Sequence, residues 1–395
     1  MQSVGRNPSG VSTLRLPFGS TLSVITTTEQ LMSLESGWRG LENSSSGDVN
    51  VFQSFDWVSS WASVYATTGS DAEILVLAGY HEKELVFVWP LMKTRNHGVC
   101  SLVWLSEPSC QYGDVLVNRQ HTAHVWINAA LGIIRQLKNI DIVRLRHVRD
   151  DANIADYAQK NFADGHVKER APFLDLGLFK DDASYEARYS SNQRKRRKKI
   201  RKSIEDMGQL QFSSIQAGVL ADKAMATAIE EKNKWLKDRG RMNLILRCPR
   251  HLEFLKRLSR KSNASVGVVT TEITAGNQPV SWEIGFRFRG THFAYITSHV
   301  NEHTDLSPGR LHMDMSQRMA IADKQSRFDL MVPYDAHKES WCSAMVGTND
   351  YYMPMTLRGR FYGAAYLRHV RPVIRDIYYR LPPKVLQNMQ KLAGY

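Results

Sequence analysis

Asn301-Glu302-His303-Thr304-Asp305-Leu306-Ser307-Pro308-Gly309-Arg310 is the stretch whose reading decides the fold. It leaves a strand-like run, His292–His299, and opens a helical run, Arg310–Lys324, before the apolar strand Phe328–Val332. Ser307 suits the N-cap of that helix, and Pro308 suits its first position, where a missing N–H costs nothing. Gly309 keeps side-chain bulk away from the helix start, and Arg310 adds a fixed positive charge. Uncommitted N–H groups, the positive end of the helix dipole and a guanidinium together suit an anion such as a pyrophosphate. The same residues also describe a well-capped helix with no ligand.

Working outward, Ser265–Thr274 and Val280–Arg289 read as a hairpin around Gly276-Asn277, with His292–His299 as its third antiparallel strand. Val219–Lys237 and Pro249–Lys261 before them have helical periods. The first half of the chain runs through a similar order. A Ser-capped helix, Ser54–Tyr65, precedes the hairpin Glu73–Tyr80 and Leu85–Met92. A third strand, Val99–Leu105, a loop, Glu107–Tyr112, a helix, Gln120–Leu137, and a strand, Ile140–His147, follow. Two copies of one α/β unit with a mixed sheet explain the length better than one large sheet. The last helix of each unit should join parallel strands in a right-handed crossover.

The composition sets bounds. At 395 residues, with 43% apolar and 10% aromatic residues, the chain is long enough for two domains with sizeable cores, which excludes disorder throughout. The four cysteines, Cys100, Cys110, Cys248 and Cys342, form no Cys-x-x-Cys pair, which argues against a disulfide scaffold or zinc site and fits a reducing compartment. Met1–Gly10 has no apolar core of the kind a signal peptide needs. The most apolar region, Ile74–Met92, is broken by His81-Glu82-Lys83-Glu84, short of the roughly 20 residues a membrane-spanning helix requires. The expectation is a cytoplasmic protein, at most peripheral to the inner face of a membrane. Of the net charge of +13, eight charges come from Arg194–Lys202, where eight of nine residues are basic. That run reads either as a solvated helix face or as an anion site for phosphate, acidic lipid or nucleic acid. It contains no aromatic platform, only Tyr185 and Tyr189 before it, so base stacking is weakly supported.

The order strand, Ser307-Pro308-Gly309-Arg310, helix, strand, then Asp335-x-x-Lys338-x-x-Trp341 resembles the GNAT acyltransferase superfamily. It is most similar to the branch grouped with cellulose-biosynthesis (CelD-type) acetyltransferases and related to FemAB transferases. Trp57 and Trp61, Pro90-Leu91, Tyr112-Gly113-Asp114, Trp235 with Gly240, and Phe328-Asp329 carry the rest of the resemblance. In the position before Lys338 where related chains often have Tyr, this chain has His337. The resemblance implies tandem GNAT-like folds, with the pyrophosphate of acetyl-CoA or another acyl-CoA on Ser307, Pro308, Gly309 and Arg310. The first unit lacks a Gly-Arg helix start and is expected to hold no cofactor, forming instead a wall of the acceptor cleft. The expected layout is a flexible tail over 1–20, the N-terminal unit over 21–180 and a basic helical connector over 181–208. The C-terminal acyltransferase domain then covers 209–375, and a helical extension 376–395.

Acyl transfer to an amine or hydroxyl needs a base near the acceptor and donors for the thioester oxygen and leaving thiolate. His299, at the end of the fourth strand, suits the base. Glu283 could act through water or simply face solvent, and Asp335 and Lys338 follow the fifth strand at its ligand-bearing end. Lys338 could hold an acceptor anion or polarise the carbonyl, while Trp341 reads as core. No cysteine has a nucleophile pattern, so direct transfer without a metal is expected. The expected function is acyl-CoA-dependent transfer to a sugar, polysaccharide precursor or related small acceptor, in exopolysaccharide or cellulose biosynthesis. Arg194–Lys202 would meet an anionic membrane or a polysaccharide synthase. The alternatives are a FemAB-like transferase dependent on aminoacyl-tRNA, the one nucleic acid considered, and a non-enzymatic scaffold at a polysaccharide synthase.

Overall fold

The computed structural model describes residues 5–6, 12–17, 19–47, 51–67, 72–96, 98–261, 263–382 and 385–386. Two compact units divide the chain: Met1–Arg170 with Val346–Ile377, and Ala171–Met345 with Tyr378–Tyr395.

The first unit is built on an antiparallel run of strands, Ser12–Arg15, Ser20–Ile25, Glu73–His81, Glu84–Asn96 and Val99–Trp104. Leu85 to Met92 are all buried, so this central strand is continuously apolar rather than alternating. Helix Phe55–Tyr65 starts at Ser54, whose hydroxyl accepts from the Trp57 amide, as the Ser cap predicts. Trp38, Phe52, Phe55, Trp57 and Trp89 are fully buried, each side chain contributing on the order of 1.5–3 kcal/mol. After helix Ala123–Ile134, strand Ile142–Arg149 returns parallel to Val99–Trp104, paired only at Ser101↔Ile142 and Leu102↔Val143.

The second unit repeats that order. Strands Leu210–Ile215, Gly267–Ala275, Gln278–Phe288 and Thr291–His299 form an antiparallel meander. Helix Pro308–Ala322 crosses over to Arg327–Asp329, which lies parallel to Thr291–His299. Pairing there runs only from Thr291↔Arg327 to Phe293↔Asp329, after which the two strands part. Strand Ala163–Asp175, whose last residues belong to this unit, pairs antiparallel with Arg327–Asp329. Both units thus have the mixed α/β sheet that the element order predicts.

The expected boundaries fall elsewhere. Residues 181–208 are not one connecting helix but two, Asp182–Ala187 and Ser191–Glu205, separated by a capping box at Ser190. Their apolar side, with Ile204 buried beside Ile273, Val280 and Leu311, packs into the second unit. Residues 346–377 leave the second unit, because strand Ala344–Pro354 pairs with Ile142–Arg149 and buries Tyr351 and Tyr352. Ser12–Arg15 is a paired strand rather than loose tail. The rest of the expected tail (1–4, 7–11 and 18) and of the C-terminal extension (383–384 and 387–395) lies outside the described residues.

Candidate active site

Where strands Thr291–His299 and Arg327–Asp329 part, the chain makes a 3-10 turn, Asn301–Leu306, and enters helix Pro308–Ala322. Ser307 occupies the N-cap position, but its hydroxyl caps nothing. Its backbone is left-handed (φ 57°, ψ 45°), whereas a capping side chain needs an extended residue. Pro308 is buried at the first helical position. The first turn therefore keeps its positive end without a side-chain cap. A β-carbon at Gly309 would lie 3.9 Å from His299 Nδ1, so the glycine places the histidine beside the helix start.

The hydrogen bonds around His299 define its tautomer. Thr304 Oγ1 donates its one proton to the Asn301 carbonyl at 2.7 Å, and so accepts from His299 Nε2–H at 3.2 Å. The lone pair is left on Nδ1, facing the helix start. Burial, then the charges of Lys232 and Arg239, hold the imidazole below its usual pKa. Those two cations flank the ring of Trp235, with Lys232 Nζ at 4.7 Å and the Arg239 guanidinium at 4.1 Å. His299 is consequently neutral at pH 7, the state a base requires.

Arg310 also lines a cavity of about 390 Å³, with Arg196, Arg197, Asp314, Glu339 and Trp341 among the other residues on its wall, while His299 and Gly309 do not line it. Arg197 pairs with Asp314 and lies over the Tyr189 ring at 3.8 Å and the Trp341 ring at 5.0 Å. Arg196 and Arg310 have no carboxylate partner among the described residues. Burial and then the neighbouring Arg196 lower the Arg310 pKa, which marks two unneutralised guanidinium groups close together. The cavity therefore favours an anion on electrostatic grounds.

The other expected site residues are committed elsewhere. Glu283 neither faces solvent nor reaches the cavity. It is fully buried, with Oε1 2.7 Å from His292 Nε2, and His292 stacks on Phe328 at 4.6 Å. Burial pushes the Glu283 carboxyl up, but the His292 hydrogen bond and charge outweigh it and hold the carboxyl below its usual range. Nearby, His312 bonds Thr271 Oγ1 and Ser281 Oγ, each at 2.8 Å, and burial holds it at a pKa of about 4. Lys338 Nζ donates to the carbonyls of Leu330, Met331 and Pro333, each at 2.9 Å. Three bonds use all three ammonium protons, so Lys338 staples the loop after the fifth strand rather than holding an acceptor. Asp335 caps the turn Ala336–Trp341 through the His337 amide and pairs with His337 Nδ1 at 2.9 Å. Trp341 is buried core, with one face on the cavity.

Arg196 entered from the sequence only as part of the basic run 194–202, and Thr304, Lys232 and Arg239 were not singled out as site residues. The i, i+3, i+7 spacing of Lys232, Trp235 and Arg239 was the available signal for the last two. Among the described residues, no group of three or more His, Cys, Asp or Glu could hold a metal ion.

Residues 191–339, which carry this site, match the family model for the acetyltransferase (GNAT) domain. The second unit carries a GNAT acetyltransferase domain. The matched domain is of the GNAT acyltransferase type, and the first unit repeats its order of strands and helices. No curated protein matches its sequence. A crystal structure of FemX is similar in fold at 9% identity and TM-score 0.53, over 84% of this chain and 98% of that one. The structure of L-PGS from Bacillus licheniformis aligns at 10% identity and TM-score 0.51, over 86% of this chain and 96% of that one. A conserved protein of unknown function from Bacteroides thetaiotaomicron VPI-5482 aligns at 9% identity and TM-score 0.51, over 84% and 99%. In the GNAT domain, Gly309 and His299 lie together at the parting of the fourth and fifth strands, while Lys338 and Glu283 support its frame. No helix among the described residues is long and apolar enough to cross a membrane.

Proposed function

We propose that the protein transfers an acyl group from acetyl-CoA or another acyl-CoA to an amine or hydroxyl of a sugar, polysaccharide precursor or related small acceptor. The observation that carries this reading is the uncapped helix start at Pro308-Gly309, with His299 beside Gly309 and the next residue, Arg310, unneutralised and close to Arg196. Ser307, Pro308, Gly309 and Arg310 would hold the donor's pyrophosphate, because the Gly309 amide, the helix dipole and the Arg310 guanidinium favour negative charge there, while the Ser307 and Arg310 amides bond the Thr304 and Ser307 carbonyls. The donor supplies an activated thioester. The acceptor attacks the thioester carbonyl while His299 Nδ1 takes its proton and Thr304 keeps Nε2–H in place; the C–S bond breaks, and CoA leaves as a thiolate that takes a proton from water. Lys338 and Asp335 hold the loop that lines the cavity.

A second reading uses aminoacyl-tRNA as the donor. It is favoured by Lys195, Lys198, Lys199 and Lys202, which are exposed on the helix that lines the cavity through Arg196 and Arg197. Calorimetry with CoA and filter binding with aminoacyl-tRNA separate the two. CoA binding that is lost in Gly309→Glu supports the first reading. Binding of charged tRNA with no affinity for CoA supports the second. Labelled acetyl-CoA offered to a panel of sugars and amines then identifies the acceptor.

A further inference from the structure

We infer that residues 357–380 form an interfacial helix that binds the surface of an anionic lipid bilayer. The segment runs without interruption as Leu357–Phe361, a π-helical stretch Tyr362–Val370, and Arg371–Arg380. Its start is fixed to the first unit. Thr356 Oγ1 bonds Asp141 Oδ1 at 2.7 Å, and a β-carbon at Gly359 would lie 1.7 Å from the Asp141 carbonyl oxygen. Gly363 lies against Tyr352 in the same way, and Leu367 is buried with it.

What the anchored side leaves outward is apolar. Leu357 is 81% exposed, Phe361 77%, Val373 57% and Ile374 55%, with Val370 and Ile377 also exposed. In an unbroken α-helix, about 100° per residue would put Phe361 and Val370 on opposite sides. The π-helical stretch changes this, because nine steps of roughly 80° close two full turns and bring them to the same side. Pro372 supports the wide winding, since it offers no N–H to the preceding turn. One stripe of large apolar side chains therefore continues along the segment, where an ordinary surface scatters them singly.

The charge of the segment selects the occupant. It contains six arginines and one acidic residue, Asp376. Arg371 pairs with Asp350 and Arg358 donates to the Gly98 carbonyl, while Arg360 and Arg368 are exposed and outside any ion pair among the described residues. A second copy seated on this face would set these arginines against their own equivalents. An anionic bilayer neutralises them while its acyl region accepts Phe361 and Ile374, the pattern of a helix lying in the membrane interface. The inference does not rest on the donor site, which shares no residue with this segment.

The test is cosedimentation of the full chain with vesicles of pure phosphatidylcholine and of phosphatidylcholine with 30% phosphatidylglycerol. Binding to the anionic vesicles alone is expected. It should weaken at least tenfold in Phe361→Asp and in Ile374→Asp, and Arg360→Gln with Arg368→Gln should flatten its salt dependence. All of these positions are exposed, and unchanged thermal melting confirms intact folding. Equal binding to both vesicle types, or undiminished binding by both aspartate variants, overturns the inference. So does a dimer in analytical ultracentrifugation that Ile374→Asp dissolves, if vesicle binding is absent.

Discussion

The two units part their fourth and fifth strands in the same way and use the gap differently. In the first unit, pairing stops after Leu102↔Val143, and the chain fills the space with its own side chains. Trp104 is buried, donates from Nε1 to the Arg146 carbonyl, and packs so tightly that a β-carbon at Gly113 would lie 2.0 Å from its ring. Glu107 neutralises Arg144 at 2.9 Å and Arg146 at 3.4 Å. In the second unit, pairing stops after Phe293↔Asp329, and the helix start beyond it has a bare glycine beside a neutral histidine, followed by Arg310, which like the nearby Arg196 has no ion-pair partner among the described residues. A shared topology thus supplies only a gap. Whether it becomes a structural joint or a ligand site depends on whether the charges facing it are already paired.

The sharpest way to break this comparison is Gly309→Glu. Bulk and negative charge at the helix start should reduce CoA affinity by at least ~10³-fold with the fold intact. Calorimetry on the folded variant decides, and unchanged affinity places the donor elsewhere.

His299→Gln should lower kcat by about 10²–10⁴-fold while CoA binding persists. The pH profile gives an independent reading. Because the histidine's pKa is lowered, activity should be flat above pH 6.5 and fall only below it. An acidic limb centred above pH 6.5 would contradict the neutral base.

A paired contrast comes next. Glu107→Gln should cost about 2 kcal/mol in the first unit, because it leaves Arg144 without a carboxylate partner and Arg146 with only Asp350 at 3.7 Å. Arg310→Gln should leave melting unchanged and weaken CoA binding roughly tenfold, with a shallower salt dependence. Equal stability losses in both variants would erase the distinction between a filled gap and an open one.

The smallest effects concern the frame. Lys338→Met should lower stability by about 1–3 kcal/mol, since three carbonyls lose a charged donor, and should leave the acceptor KM unchanged. A raised KM at unchanged stability would return Lys338 to acceptor binding. Half-buried His147 and buried His251 and His312, each held at about 4, stay neutral in the folded chain. The unfolded chain takes up protons near pH 6.5 that the folded chain refuses, so stability present above that pH should be lost as pH falls from 6.5 toward 4. Melting temperatures across that range test the sign.

The amino-acid sequence by itself determined the local elements and the helix start. Alternation marks Thr291–His299, the period of Pro308–Ala322 marks a helix, and Pro308-Gly309 can serve only a few backbone positions. These signals are written in neighbouring residues. The tertiary structure alone decided the rest, because it depends on residues far apart in the chain. The basic run divides into Arg197 paired with Asp314, Arg196 free beside Arg310, and an outward lysine face, a division set by a helix more than a hundred residues later. Lys338 reads as a site lysine until the fold brings three carbonyls to it, and Glu283 reads as exposed until His292 is paired across the sheet. The return of 346–377 to the first unit left no trace in hydrophobic period, because strand Ala344–Pro354 takes its partner from Ile142–Arg149, two hundred residues upstream. Local pattern fixes which way a residue points along its own element, and only the pairing of distant elements decides what it meets there.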